Sequence, residues 1–213
     1  MDSAEIDRLF GKAREEQERE LREEIRNPSF EALIGDGSDE VFDKAAKLLT
    51  SADRHDRLLG VRILSEIGRP EMKFADKSVG LITNTIRSEQ DSELLSWEVS
   101  ALGKQHRAAA LPTLLSLSNH LEPTVRDAVA GAISSAAQRS GIDADSIVAL
   151  GELAQDPDDH VRFSAVFELA SWWSHGENAR DIANALDLAT RDGDSGVARV
   201  ARDALAKRPI TGS

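Results

Sequence analysis

The stretch Asp156-Pro-Asp-Asp-His-Val-Arg-Phe-Ser-Ala-Val-Phe-Glu-Leu-Ala170 decides the fold of this chain. Small or apolar residues recur at every fourth position from Val161, and this spacing returns to one face of an α-helix. The segment Leu121-Glu-Pro-Thr-Val-Arg-Asp-Ala-Val-Ala-Gly-Ala-Ile133 has the same order, with a proline, a Val-Arg pair, and small or apolar residues four and eight positions after the valine. The two segments therefore predict two copies of one helical unit.

The same spacing occurs five times along the chain. The residues that begin each row, which we call anchors, are Leu59, Leu95, Val125, Val161 and Val197, so the steps between them are 36, 30, 36 and 36 residues. A second apolar helix precedes each anchor helix, and we predict these first helices at 41–49, 79–86, 111–117, 147–154 and 182–189. Helix pairs at this period bury their apolar faces by stacking, which predicts an all-α solenoid of about five pairs.

Residues typical of helix ends separate the predicted helices. Asp156 is expected to cap a helix that has Pro157 at its first position, and Ser88 with Asp91 resembles a capping box. Three glycines stand where helices should end: Gly68, Gly141 and Gly176.

The pattern Asp-Pro-x-x-x-Val-Arg-x-x-Ala resembles HEAT-like repeats, of the short bacterial type that also occurs in phycobilin lyase subunits. The resemblance covers roughly residues 38–208. It implies a right-handed superhelix with the second helices on the concave surface, and a ladder in which the turn Asp and the Arg six residues later link neighbouring repeats. Asp156 and Arg162 match that spacing, whereas His120 occupies the acid position one unit earlier and Ala198 the arginine position one unit later. We therefore expect an incomplete ladder.

Residues 1–37 differ from the repeats. The first 40 residues hold 13 acids and 6 bases, a net charge of −7. A helix is predicted at 3–26, and a short one at 28–34 that Gly35 stops. This segment is either a helical cap over the open end of the first repeat or a charged arm that binds a partner. Residues 209–213 are expected to be a disordered tail.

Composition narrows the function classes. The 213 residues include 38 acids and 26 bases, a net charge of −12, which opposes nucleic-acid binding and favours protein partners, basic ones in particular. The absence of cysteine excludes disulfides, thiolate metal sites and a cysteine nucleophile. The sequence has no stretch typical of a membrane span or signal peptide, so we expect a soluble cytoplasmic protein.

The sequence has no recognisable catalytic pattern. Its five histidines show no His-Glu dyad and no metal-binding spacing, and no glycine-rich phosphate loop is present. We therefore predict no catalytic residues, no metal site and no cofactor. Two enzyme classes remain as weaker alternatives. A HEAT-like DNA glycosylase is opposed by the acidic charge, and a pigment lyase subunit rests on repeat type alone.

Aromatic and arginine side chains recur away from the predicted buried faces. Trp97 and Phe163 each follow an anchor by two residues, and Phe167 lies one turn beyond Phe163. These residue types are enriched at binding hot spots, although stacked helices also bury wide faces and could enclose them. We predict a non-catalytic protein–protein interaction scaffold, with an acidic inhibitor or immunity-type protein that neutralises a basic enzyme as the alternative. The predicted partner-binding residues are Trp97, Arg126, Arg162, Phe163, Phe167 and Arg199.

Leu169 tests the placement of the buried face. Leu169→Ala should lower the free energy of unfolding by about 2–5 kcal/mol, because it would leave a cavity in the core. Urea denaturation measures this loss. A variant with the stability of the wild type would place Leu169 outside the core.

Overall fold

The computed structural model describes residues 1–23, 27–175 and 179–207. Within these ranges every regular element is helical, and the chain forms two compact units, Met1–Gln105 and His106–Ser213. The α-helices are α1 (Ser3–Glu23), α2 (Pro28–Asp36), α3 (Asp39–Leu48), α4 (Arg54–Glu66), α5 (Ala75–Ile86), α6 (Ser92–Gly103), α7 (Leu111–Ser116), α8 (Pro123–Ala137), α9 (Ala144–Leu153), α10 (Asp159–His175), α11 (Ala179–Ala189) and α12 (Ser195–Ala206), with a 3₁₀ turn at Ala108–Ala110.

The first unit contains two of the predicted helix pairs. Helices α3 and α4 pack together, as do α5 and α6, and the two second helices, α4 and α6, lie against each other. Their anchors Leu59 and Leu95 are buried, and so are Ile63 and Val99 one turn further on. The periodic apolar rows are therefore the core of this unit.

The second unit contains the other three pairs: α7 with α8, α9 with α10, and α11 with α12. Helix α10 packs against both α8 and α12, while α9 packs against α7 and α11, so second helices form one layer and first helices the other. The anchors Val125, Val161 and Val197 are fully buried, and Leu169 is too. The predicted all-α solenoid of HEAT-like helix pairs is confirmed.

Some predicted helix ends are wrong. Gly35 lies inside α2, which ends instead at Gly37, where φ is +59° and the N–H donates to the carbonyl of Leu33. Gly35 is tolerated because it occupies an exposed helical position, where glycine costs only about 1 kcal/mol relative to alanine. Gly68 and Gly141 do follow helix ends, with φ of +78° and +81°, whereas Gly176 lies outside the described residues.

Two predicted caps also differ. Asp156 does not cap α10; Asp158 does, with its Oδ1 accepting from the N–H groups of His160 at 3.0 Å and Val161 at 3.3 Å. Ser88 takes no part in a capping box, because its hydroxyl donates back to the carbonyl of Thr85. Asp91 alone caps α6.

A two-residue motif recurs at the turn between paired helices, and we call it the turn pair. In each one, the first side chain accepts a hydrogen bond from the N–H two residues later, and the second residue directly precedes a helix. The motif needs only an acceptor at its first position, so Ser, Glu, His and Asp all serve. The five turn pairs are Ser51/Asp53, Glu89/Asp91, His120/Glu122, Asp156/Asp158 and Asp192/Asp194.

Arginines join one turn pair to the next. Arg162 donates from Nη1 to the carbonyls of Asp156 and Pro157 in its own turn, at 2.9 and 3.1 Å. Its Nε and Nη2 form a bidentate pair with Asp192 of the following turn, at 2.7 and 3.0 Å. Arg126 makes the same bonds to its own turn and to Asp156, with side chains only 11% and 6% exposed. These links are the rungs of the ladder.

The places where the ladder was expected to be broken need correction. Each rung joins an arginine to the acid of the next turn. The rungs that link the third, fourth and fifth repeats therefore use neither the position of His120 nor that of Ala198. A further rung that the sequence analysis missed links Arg57 to Glu89, with Nε 2.9 Å from Oε2. In the sequence, the second-to-third step has Leu95 and His120 at the positions that an arginine and an acid occupy in these rungs.

The N-terminal segment belongs to the first unit. Helix α1 packs against α2 and α4, and it buries Ile6, Leu9 and Ala13. Gln17 is also buried and donates to the carbonyl of His55 at 3.0 Å. These contacts attach α1 to the helices at the start of this unit. The predicted continuation of this helix at 24–26 and the predicted tail at 209–213 lie outside the described residues.

Glu98 of α6 is a buried carboxyl next to the Arg57–Glu89 rung. The residue is 1% exposed, and its Oε2 has no hydrogen-bond partner among the described residues. Burial raises the pKa of Glu98 to about 7, Glu89 adds to this rise, and a hydrogen bond with Thr85 and the charge of Arg57 oppose it. The folded chain therefore favours the protonated carboxyl, whereas the unfolded chain ionises from about pH 4.5.

The pH dependence of stability tests this environment. Since the folded-state pKa is the higher one, Glu98 lowers stability progressively as pH rises from about 4.5 to 7, with no further loss above that. The free energy of unfolding of Glu98→Gln, taken relative to the wild type, should therefore be about 2 kcal/mol higher at pH 8.5 than at pH 5.5. Urea denaturation at both pH values measures the gain, and Glu152→Gln, which removes one exposed charge, controls for net charge. If the stability difference between Glu98→Gln and the wild type is the same at both pH values, the raised pKa of Glu98 is contradicted.

Arg162→Met tests a rung at nearly constant side-chain volume. It should lower the free energy of unfolding by about 2–4 kcal/mol, because Asp192 and two turn carbonyls would lose their donors. The matched control is Arg199→Met, an exposed arginine on the next second helix, which should change stability by less than about 0.5 kcal/mol. Equal effects of the two substitutions would show that the rung adds no stability.

Candidate functional site

Helix α10 exposes an aromatic pair. Its row of Val161, Ala165 and Leu169 is fully buried, which turns Phe163 and Phe167 away from the core. These two side chains are 39% and 55% exposed, and their rings stack with centroids 6.5 Å apart and an interplanar angle of 18°. Two large apolar side chains are thus left in water side by side on one second helix.

An apolar groove lies beside this pair, between α10 and α12, with a volume of about 380 Å³. The indole Nε1 of Trp173 donates to the carbonyl of Lys207 at 3.0 Å and so ties the end of α10 to the end of α12. Phe163 also lies against α12, since a Cβ at Gly196 would be 3.7 Å from its ring. The residues that line the groove are Phe167, Ala170, Ser171, Trp173, Ser174, Val200, Asp203, Ala204 and Lys207.

A polar groove of about 550 Å³ lies on the other side of α10, against α8. Trp172 donates from Nε1 to the buried hydroxyl of Ser134 at 3.0 Å. Burial raises the pKa of Glu168, and a hydrogen bond with Ser134 opposes the rise. The lining residues are Ser134, Ser135, Gln138, Arg139, Ser140, Gly141, Glu168, Ser171 and Trp172. Ser171 belongs to both grooves, so α10 separates an apolar groove from a polar one.

The structure brings together only part of the predicted binding set. Phe163 and Phe167 form the exposed pair, and Arg199 is exposed on α12 in the same unit. Arg126 and Arg162 instead use their guanidinium groups in the ladder, so they are not free to define a binding surface. Trp97 is half-buried on α6 and belongs to the first unit.

Sequence reasoning missed both grooves. Trp172 was not among the predicted binding residues, yet its half-buried side chain forms a wall of the polar groove. The Trp172–Trp173 dipeptide was the available signal, because consecutive helical residues point about 100° apart and two large rings in succession face different neighbouring helices. Their partners Ser134 and Lys207 are 38 and 34 residues away in sequence, so no local pattern identifies them.

The histidines are dispersed. His106 approaches the carbonyl of Ser135 at 2.9 Å through Nδ1, and His120 accepts the N–H of Glu122 in its turn pair. Across residues 1–23, 27–175 and 179–207, no three His, Asp or Glu side chains are placed so that they could hold a metal ion. In the same ranges no helix is both long and apolar enough to cross a membrane.

Comparison with known proteins identifies HEAT repeats in part of the chain and supports the fold. Residues 79–170 match the family model for HEAT repeats. No curated protein sequence matches the chain. The X-ray structure of YibA from Escherichia coli is similar over 97% of this chain and 70% of its own, with 19% identity and a TM-score of 0.69. The crystal structure of an engineered protein is similar over 94% of this chain and 87% of its own, with 19% identity and a TM-score of 0.63. Residues 79–170 therefore contain HEAT repeats, and the fold of the chain is that of a HEAT-like helical solenoid.

Proposed function

We propose that this chain is a non-catalytic interaction scaffold that binds a protein partner through the exposed face of α10. The observation that carries the proposal is the Phe163–Phe167 pair beside the apolar groove. Aromatic side chains next to a groove are the usual anchors of protein interfaces. The resemblance to HEAT repeats, whose second helices line a concave surface, supports the choice of this layer.

The surroundings of the pair favour binding over a purely structural role. A side chain that only filled space between helices would be buried, whereas Phe167 keeps more than half of its surface in water. The helix beneath is fixed by rungs on both sides, Arg126–Asp156 and Arg162–Asp192. A rigid support lowers the entropy that is lost when a partner binds.

The full-length chain with Phe163→Ala and Phe167→Ala tests the proposal. Loss of two hot-spot rings should weaken binding about 30-fold or more. The tagged wild type and the variant are each used to purify proteins from the native host, and the recovered proteins are quantified by mass spectrometry. The specific partners of the wild type should be absent from the variant.

The matched control is Val148→Ala with Leu188→Ala. These side chains are 59% and 53% exposed but lie on α9 and α11, in the layer of first helices. The control should recover the same partners as the wild type. Thermal unfolding of every variant shows that the fold is kept, and Phe167→Ala alone removes the more exposed ring at the smaller cost to packing. Equal recovery by the wild type and the phenylalanine variant would overturn the proposal.

An acidic inhibitor of a basic enzyme is the second candidate, and the net charge of −12 favours it. Such binding would depend on exposed charges and weaken steeply with salt, because the screening length falls from about 10 Å at 0.1 M to about 3 Å at 1 M. Binding through the aromatic pair should weaken much less with salt, because it depends mainly on buried apolar surface. Partner recovery at low and high salt therefore separates the two candidates.

A further inference from the structure

The polar groove between α8 and α10 contains a half-buried acid. Glu168 is the one acidic residue among the groove's described lining residues. Burial destabilises the ionised form of this carboxyl, and the opposing contribution is a hydrogen bond with the neutral Ser134. A carboxylate in such a position is stabilised when an opposite charge enters the site.

The rest of the lining suits a cationic side chain. Ammonium and guanidinium groups are donors only, so they need acceptors, and Ser135, Ser140 and Gln138 offer them with Glu168. Trp172 lies one turn after Glu168 and therefore on the same face of α10. An indole beside a carboxylate favours a cation further through its ring face.

We propose that this groove receives a lysine or arginine side chain of the protein partner whose apolar residues lie on Phe163 and Phe167. This inference rests on the proposed function. The grooves adjoin at Ser171, so one segment of a partner that crosses α10 reaches both. The net charge of −12 favours a basic segment over an acidic one.

The polar groove also contains one positively charged residue among its described lining residues, Arg139. It lines the same groove but is exposed, where water and salt screen it, whereas Glu168 lies deeper. An acidic occupant would instead bind Arg139 and be repelled by Glu168. The two cases make opposite predictions for substitution of these residues.

The probe is a phage-displayed library of random peptides, selected on the full-length wild-type chain. Peptides that combine a lysine or arginine with a bulky apolar residue should be enriched. One enriched peptide is synthesised with a fluorophore, and its affinity is measured by fluorescence anisotropy. Glu168→Gln should weaken it about 10-fold or more. A peptide whose basic residue is replaced by Gln should bind the wild type as weakly as the original peptide binds the Glu168→Gln variant. Its affinity should not fall further when Glu168→Gln is also introduced.

The controls separate this inference from the proposed function. Glu152→Gln removes an exposed acid from α9 and should leave the affinity unchanged, and Arg139→Gln should not weaken it. Peptides that need Phe167 but bind the Glu168→Gln variant normally would overturn the cation site alone. If the enriched peptides bind the variant with Phe163→Ala and Phe167→Ala as tightly as the wild type, docking on α10 is overturned. The same holds if no peptide is enriched. Loss of binding on Arg139→Gln would indicate an acidic occupant and also overturn the cation site.

Discussion

The arginine that joins one turn to the next is the interaction on which the described repeats depend most. Arg162 satisfies two carbonyls of its own turn and the carboxylate of Asp192 in the following one. Because Asp192 also accepts the N–H of Asp194, which caps α12, the rung is connected to the start of the next helix. The hydrogen bond from Arg162 lowers the pKa of Asp192, so the pair stays ionised down to acidic pH. One side chain thus fixes the register of two repeats.

The repeat period predicted most of the fold, since apolar residues at helical spacing must share a buried face. Val161 and Leu169 show this, because both are fully buried as expected. The ladder was harder to predict, because the arginine and its acid lie in different repeats. Glu89 was missed since it replaces the expected Asp. His120 does not disturb its own turn, because the turn needs an acceptor and not a charge.

The candidate site was predicted only where it depends on one helix. The exposed pair follows from the spacing of Phe163 and Phe167 relative to the buried row of α10. The grooves depend on helices distant in sequence, through contacts such as Trp173 with Lys207. Residue type alone did not separate the arginines that form rungs from the exposed one. Arg162 and Arg199 are chemically identical, yet the first is held in a rung and the second is exposed.

The arginines held in the ladder and the aromatic residues left exposed support our proposal that a partner binds on α10. Its turn receives the rung from Arg126 and its own Arg162 extends the next one, so both neighbouring turns hold the start of this helix in place. Trp172 and Trp173 then fix its far end to α8 and α12. A helix held at both ends can leave Phe163 and Phe167 in water without moving to bury them. The exposed pair therefore lies on a rigid support, which lowers the entropy lost when a partner covers an apolar surface.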